Sequence, residues 1–376
     1  MRFHASWLGW ILCFWMTGAH ALGSAPEHWA QWDIFVARFI QADGRVIDLT
    51  FDRKSTSEGQ AYALFLALVN NQRNEFDTIL KWTSNNLAAG QLGAQLPAWL
   101  WGLRDDGSWG VKDRSSASDA DLWLAYSLLE AGRLWGVASY RDTGRQLLAL
   151  IAHREVVSLG TMGPVLLPGP NGFTLEGGRL RLDPSYLPGF MFRYLAVADP
   201  SGPWQSVWES YLRMAPEAFR SGVAPDLFVV DASGRVMPDT QADPIGSYDA
   251  IRVYLWAGMS GDNSHGLLKL LTRYDTLLRV TGVPPEKVNA VTGDALVSNY
   301  SPLGFSGAVL PFLSALGDQG EADKQLARLG AASQRAPRGE STNYYDQVLA
   351  LLGQGWYEGY YRFDADGRVQ PRWTRT

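Results

Sequence analysis

Residues 117–135 read Ala117-Ser118-Asp119-Ala120-Asp121-Leu122-Trp123-Leu124-Ala125-Tyr126-Ser127-Leu128-Leu129-Glu130-Ala131-Gly132-Arg133-Leu134-Trp135. Leu122, Ala125, Tyr126 and Leu129 recur at the period of a helix with one apolar face. Asp119 and Asp121 stand in its first turn, where carboxylates complement the helix dipole, and Ser118 with Asp121 has the spacing of a capping box. The same period returns near 27–41, 58–71, 74–88, 138–153, 184–198, 203–221, 247–259, 263–279, 304–317, 321–333 and 342–353, about twelve helices in all.

Short connections join these segments in pairs, and no Pro/Ser/Gly linker between 22 and 376 is long enough to separate one domain from another. One all-α domain over 22–376 is expected. A toroid of six inner and six outer helices, with loops at one end building a cleft, suits that pattern; periodicity alone also admits an irregular bundle. Two stretches, Val165–Leu182 and Leu227–Met237, read as hairpins. The phrases Asp43-Gly44-Arg45-Val46, Ser233-Gly234-Arg235-Val236 and Asp366-Gly367-Arg368-Val369 are irregularly spaced, so they read as similar turns and not as a repeat.

The 376 residues are 46% hydrophobic and 19% charged, which excludes a disordered chain. Thirty-three basic against 38 acidic residues give a net charge of −5 with no basic run, so the electrostatic footprint of a nucleic-acid binder is missing. Sixteen Trp, 15 Tyr and 15 Phe exceed what a core of this size ordinarily needs, and an exposed aromatic plane can stack on the apolar face of a sugar ring. Residues 1–21 read as an export signal: Arg2, an apolar run from Trp7 to Met16, then Ala19-His20-Ala21 as a cleavage site. That run is shorter than the ~20 residues a bilayer requires, so no membrane span is expected after cleavage, and the mature protein is expected in the periplasm or secreted. Cys13, the only cysteine, lies inside the signal, which leaves the mature chain without a disulfide or a Cys-ligated metal.

Carboxylates at three helix starts could carry chemistry. Glu58 opens a helix whose Tyr62, Phe65, Leu66 and Val69 share an apolar face, and a carboxyl beside aromatic rings is suited to hold a proton as a general acid. Ser55-Thr56-Ser57-Glu58 also reads as a capping box. Asp249 is followed by Arg252 at i+3, which is either a surface ion pair or a carboxylate held ionised beside a cleft, a competent base for water. A calcium loop over Asp119, Asp121 and Glu130 is rejected because Leu124 occupies the position that needs glycine. No HExxH, Walker or GxGxxG pattern is present, so neither a zinc site nor a nucleotide site has support.

Three separated motifs resemble glycoside hydrolase family 8: Ser57-Glu58-Gly59-Gln60-Ala61-Tyr62, the segment from Ala117 through Asp121 with Ala125, Ala131 and Trp135, and Ser247-Tyr248-Asp249-Ala250-Ile251-Arg252. Their order spans most of the chain. The resemblance implies an (α/α)6 toroid and inverting endo-hydrolysis of a linear β-1,4-glucan, with Glu58 as acid, Asp249 as base and Asp119 contacting the sugar at the cleavage site. It implies no cofactor, a monomer, and possible work beside the bacterial cellulose synthase and export machinery. Substrate-binding candidates are Trp109, Tyr186, Tyr248 and Arg252, with core packing the alternative for each aromatic. Trp101, Trp256 and Trp356 are assigned to the core. Rival readings are action on chitosan, xylan or mixed-linkage glucan, and a glucan-binding accessory without turnover.

Overall fold

A helix that is apolar on every side must be wrapped by others, whereas one with a single apolar stripe belongs on the outside. The computed structural model describes residues 29–239, 243–264, 266–335 and 343–375, and its thirteen helices divide on that criterion. They are α1 (Ala30–Phe39), α2 (Ser57–Val69), α3 (Arg73–Leu87), α4 (Ser118–Leu134), α5 (Ala138–Arg154), α6 (Gly189–Ala198), α7 (Trp204–Ala218), α8 (Ala250–Ser260), α9 (Leu267–Leu270), α10 (Thr272–Thr281), α11 (Leu303–Ala315), α12 (Gln319–Arg335) and α13 (Tyr344–Tyr357). Every residue of α8 is buried, as are nearly all of α2, α4 and α11, while α3, α5 and α10 bury one stripe each.

The four all-apolar helices, with α6 and α13, form a closed inner ring. α2 packs on α4, α6 on α8, α8 on α11 and α11 on α13. Trp123 and Tyr126 of α4 meet Phe190 and Tyr194 of α6 edge to face, and Tyr344 of α13 lies against Gly59 of α2, which closes the circle. Each inner helix has an outer partner: α3 on α2, α5 on α4, α7 on α6, α12 on α11 and α1 on α13, with Tyr274 of α10 stacked on Tyr254 of α8 at 4.1 Å. This is the (α/α)6 toroid expected from the sequence. The segment 263–279 is not one helix, because Gly266 at φ 87° starts a new short helix; likewise 184–198 opens with a single 3-10 turn over Pro184–Tyr186 and becomes α-helical only at Gly189, after Pro188.

Among the described residues twelve short strands decorate the ring: β1 (Ser55–Thr56), β2 (Leu100–Leu103), β3 (Trp109–Asp113), β4 (Val156–Ser158), β5 (Pro164–Leu166), β6 (Leu180–Leu182), β7 (Phe228–Val230), β8 (Val236–Met237), β9 (Ile245–Gly246), β10 (Val288–Asn289), β11 (Tyr361–Phe363) and β12 (Val369–Pro371). The hairpin expected over Leu227–Met237 forms as β7–β8. The stretch Val165–Leu182 forms a hairpin only in its second half, where Thr174 bridges Leu180 across Glu176-Gly177-Gly178; β5 pairs instead with β4, and β6 also pairs with β7, whose three buried residues offer Leu180 and Leu182 an apolar partner. The three Gly-Arg-Val turns are alike. In each, the amide of Gln41, Asp231 or Asp364 bonds the carbonyl of Arg45, Arg235 or Arg368, and the glycine N–H returns to the first residue with φ between 80° and 91°.

The β11–β12 hairpin plugs one end of the ring. Phe363 stacks on Phe190 at 3.7 Å, Tyr126 donates to Gly367 O at 2.7 Å, and Glu130 near the end of α4 accepts the Val369 N–H. The C-terminal ends of the inner helices are therefore covered. Their N-terminal ends, where Glu58, Asp119 and Asp249 begin α2, α4 and α8, face the other way.

Candidate active site

Those three carboxylates converge on one cation. Arg252, buried to 2% exposure, directs one terminal guanidinium nitrogen to Glu58 and lies 3.5 Å from Asp119 Oδ2 with the same nitrogen. Its other terminal nitrogen donates to Asp249 Oδ1 at 2.9 Å and to Ser185 Oγ at 3.1 Å. Asp119 is buried, Glu58 partly open and the Asp249 side chain 45% exposed, so the cluster is closed on the Asp119 side and open to solvent at Asp249. The surface-pair reading of Asp249 and Arg252 is excluded by the burial of the arginine.

Local sequence explains each placement. Thr56, and not the expected Ser55, caps α2 by accepting the Gly59 N–H at 3.0 Å. Glu58 is thereby released from capping and turns to the guanidinium, a stronger partner than a backbone amide. The second capping box also fails: Ser118 Oγ donates to Leu167 O, and Asp121 is buried beside Glu155. At α8 an acid from a distant loop does the capping. Asp226 Oδ1 accepts the N–H groups of Ser247, Asp249 and Ala250, and its Oδ2 accepts Ser247 Oγ. The backbone carrying Asp249 is thus fixed at both the residue and its neighbours.

Burial sets the electrostatics. Desolvation pushes Asp249 up to about 6, partly offset by Arg252 and reinforced by the charges of Asp226 and Glu58. Desolvation also raises Asp119 well above the carboxylate range, the charge of Glu58 adding and Arg252 opposing. Asp119 Oδ1 accepts the Ala120 N–H at 2.6 Å, while buried Oδ2 has no hydrogen-bond partner. The Arg252 guanidinium lies 3.5 Å from this oxygen, so Asp119 rests beside the cation without a hydrogen bond to it.

The aromatic candidates divide. Tyr186, half-buried, sets its ring 5.6 Å from the Arg252 guanidinium and so belongs to the cluster. Tyr248 is exposed beside it, donating to Glu286 Oε1 at 3.0 Å and accepting from Tyr345 through its carbonyl. Trp109 is 46% exposed but lies apart, on β3, in the β1–β2–β3 sheet that leads into Glu58. Trp256 is core and donates to Ser185 O; Trp356 packs half-buried under Arg362. Trp101 is a correction: it is half-buried, stacks on Trp109 at 5.4 Å and shares with it the guanidinium of Arg45. Sequence reading also missed Ser185, Asp226 and Tyr345, whose proximity to the cluster is set by the fold and not by spacing.

The arrangement brings three carboxyls to one buried guanidinium, leaves Asp249 open to solvent and sets the Tyr186 ring beside the cation. The sequence profile described as Glycosyl hydrolases family 8 matches residues 10–359. An endoglucanase of Xanthomonas axonopodis pv. citri is 45% identical, covering 98% of this chain and 96% of that protein. An endoglucanase of Escherichia coli (strain K12) is 41% identical over 92% of this chain and 91% of its own. The crystal structure of an endo-1,4-D-glucanase from Vibrio fischeri ES114 superposes with a TM-score of 0.86 at 39% identity, covering 92% of this chain and 100% of that one. With a profile that spans nearly the whole chain and relatives alike from end to end, the protein belongs to glycosyl hydrolase family 8.

Proposed function

We propose that the protein is an endo-β-1,4-glucanase that cleaves by inversion. Glu58 protonates the departing glycosidic oxygen, Asp249 removes a proton from the attacking water on the opposite ring face, and Asp119 takes a hydroxyl of the sugar at the cleavage point. Tyr186 and Tyr248 supply ring faces near the scissile unit, Trp109 a stacking plane further along, and Arg252 holds the carboxylates in register. The observation that carries this reading is the sharing of buried Arg252 by Glu58 and Asp249, with Asp249 facing solvent where a water can enter. The relatives named endoglucanase favour a glucan over chitosan or xylan.

The reading extends to export. Residues 1–21 serve as the signal and 22–376 as one catalytic domain, in the periplasm or outside the cell. The signal lies outside the described residues, and among those described no helix is long and apolar enough to cross a membrane. A monomer acting beside cellulose synthesis and export follows from the resemblance, and gel filtration with co-purification tests both. Reducing-end release from a soluble cellulose derivative tests the activity. Glu58→Gln is expected to lose turnover by a factor on the order of 10³ while still binding glucan, because the amide keeps the shape and lacks the proton. Binding by the wild type without any release supports the accessory reading instead.

A further inference from the structure

A cavity of about 620 Å³ opens on the flank of the ring, between the C-terminal end of α3, the β2–β3 hairpin and the approach to α4. Because α3 runs back from α2, and α5 from α4, this is the end of the toroid where Glu58 and Asp119 lie. Trp101 and Trp109 form one wall. Three exposed arginines, Arg104, Arg114 and Arg154, line it, and no Asp or Glu does.

Of the neighbouring acids, Asp106 lies within the field of Arg104, and each has a further partner of its own. Asp105 faces Lys112, Asp106 accepts from Ser108, Asp113 accepts the Ser115 N–H, and buried Glu155 accepts from Ser116 Oγ. Arg104 folds over Gly110, next to Trp109, so closely that a Cβ there would collide with its guanidinium. Three arginines lining one cavity repel each other unless an anion enters, and their planar donor pairs match carboxylate or phosphate oxygens.

We infer that this cavity is a distal subsite for a negatively charged substituent, carboxylate or phosphate, on a sugar residue of the glycan chain that stacks on Trp109. The inference rests on the proposed glucanase reading and adds a preference for anionically substituted chains. A neutral glucan would use Trp109 and leave the arginines idle.

The test compares wild type with Arg104→Gln/Arg114→Gln/Arg154→Gln on three soluble polymers: carboxymethylcellulose, cellulose phosphate and neutral hydroxyethylcellulose. The expected result is a KM raised roughly tenfold on a charged polymer, the equivalent of one charge-assisted hydrogen bond, with hydroxyethylcellulose unchanged. A rise on one charged polymer alone identifies which anion the site takes. Equal change on the neutral polymer, or none on either charged one, overturns the proposal. All three side chains are exposed, and an unchanged melting temperature verifies the fold. Retardation of both proteins in gels containing each polymer reads binding without turnover. If the wild type hydrolyses nothing, the glucanase reading fails while the arginine site is still judged by retardation.

Discussion

Asp249 and Arg252 stand three residues apart at the start of α8 and bond at 2.9 Å, and the same buried guanidinium reaches Glu58 on α2. One cation thus ties the proposed base to the proposed acid across the ring. Its charge opposes the desolvation that raises Asp249, and it is the influence most accessible to mutation.

Activity must follow the ionisation of the base. Asp249 titrates near 6, and only its deprotonated form accepts a proton from water, so kcat/KM is expected to rise with pH through about 6. Removing the guanidinium removes a pKa-lowering charge. Arg252→Gln is therefore expected to move this acidic limb to higher pH as well as to lower turnover, measured as a pH profile of kcat/KM; a limb that stays in place contradicts the electrostatic role.

Asp226 touches no substrate in this account and acts through the backbone of α8. Losing an N-cap costs about 1 kcal/mol, so Asp226→Ala is expected to lower stability by roughly that amount. It should also reduce kcat with little change in KM, since it loosens Asp249 and not the glucan contacts. Asp226→Asn, which keeps an acceptor oxygen, should restore most of both.

Glu155 and Asp121 form a buried acidic pair under Ser116. Burial pushes Glu155 from 4.5 up to about 7 and raises Asp121 as well, with Glu155 adding charge. The folded state then binds more protons than the unfolded one in this window. The pair's contribution to stability is present in full below the unfolded pKa and is lost as pH rises through about 7. Glu155→Gln should narrow the gap in melting temperature between about pH 5 and about pH 8 by a few degrees; an unchanged gap sinks this reading.

Trp109 offers an exposed indole against Trp101, and stacking of this kind is worth about 0.5–1.5 kcal/mol. Trp109→Ala is expected to raise KM on neutral glucan by roughly threefold to tenfold and to leave kcat close to wild type.

What the sequence discloses follows physical range. Helices such as α4 and α5 were legible because their apolar period runs over many turns; their number suited a ring but also admitted an irregular bundle, and the family resemblance pointed to the toroid. The sheet β1–β2–β3 was not: Leu100–Leu103 is too short to show alternation, and Trp101 looked like core until its stack on Trp109 placed it on a cavity wall. Glu58, Asp119, Asp249 and Arg252 were found because they sit at helix starts with recognisable neighbours. Ser185 and Asp226 were not, since each reaches the cluster from a loop dozens of residues away. The capping boxes misled for one reason: a buried carboxyl near a guanidinium or another acid has stronger claims on it than a helix amide.

Stereochemistry tests the division of labour between Glu58 and Asp249 most directly. Proton NMR of a β-1,4-oligoglucoside during the first turnovers reports the anomer released before mutarotation. Attack by a free water from the Asp249 side predicts the α-anomer first, with neither anomer formed by Asp249→Asn. First release of the β-anomer would mean a covalent intermediate and contradict the account.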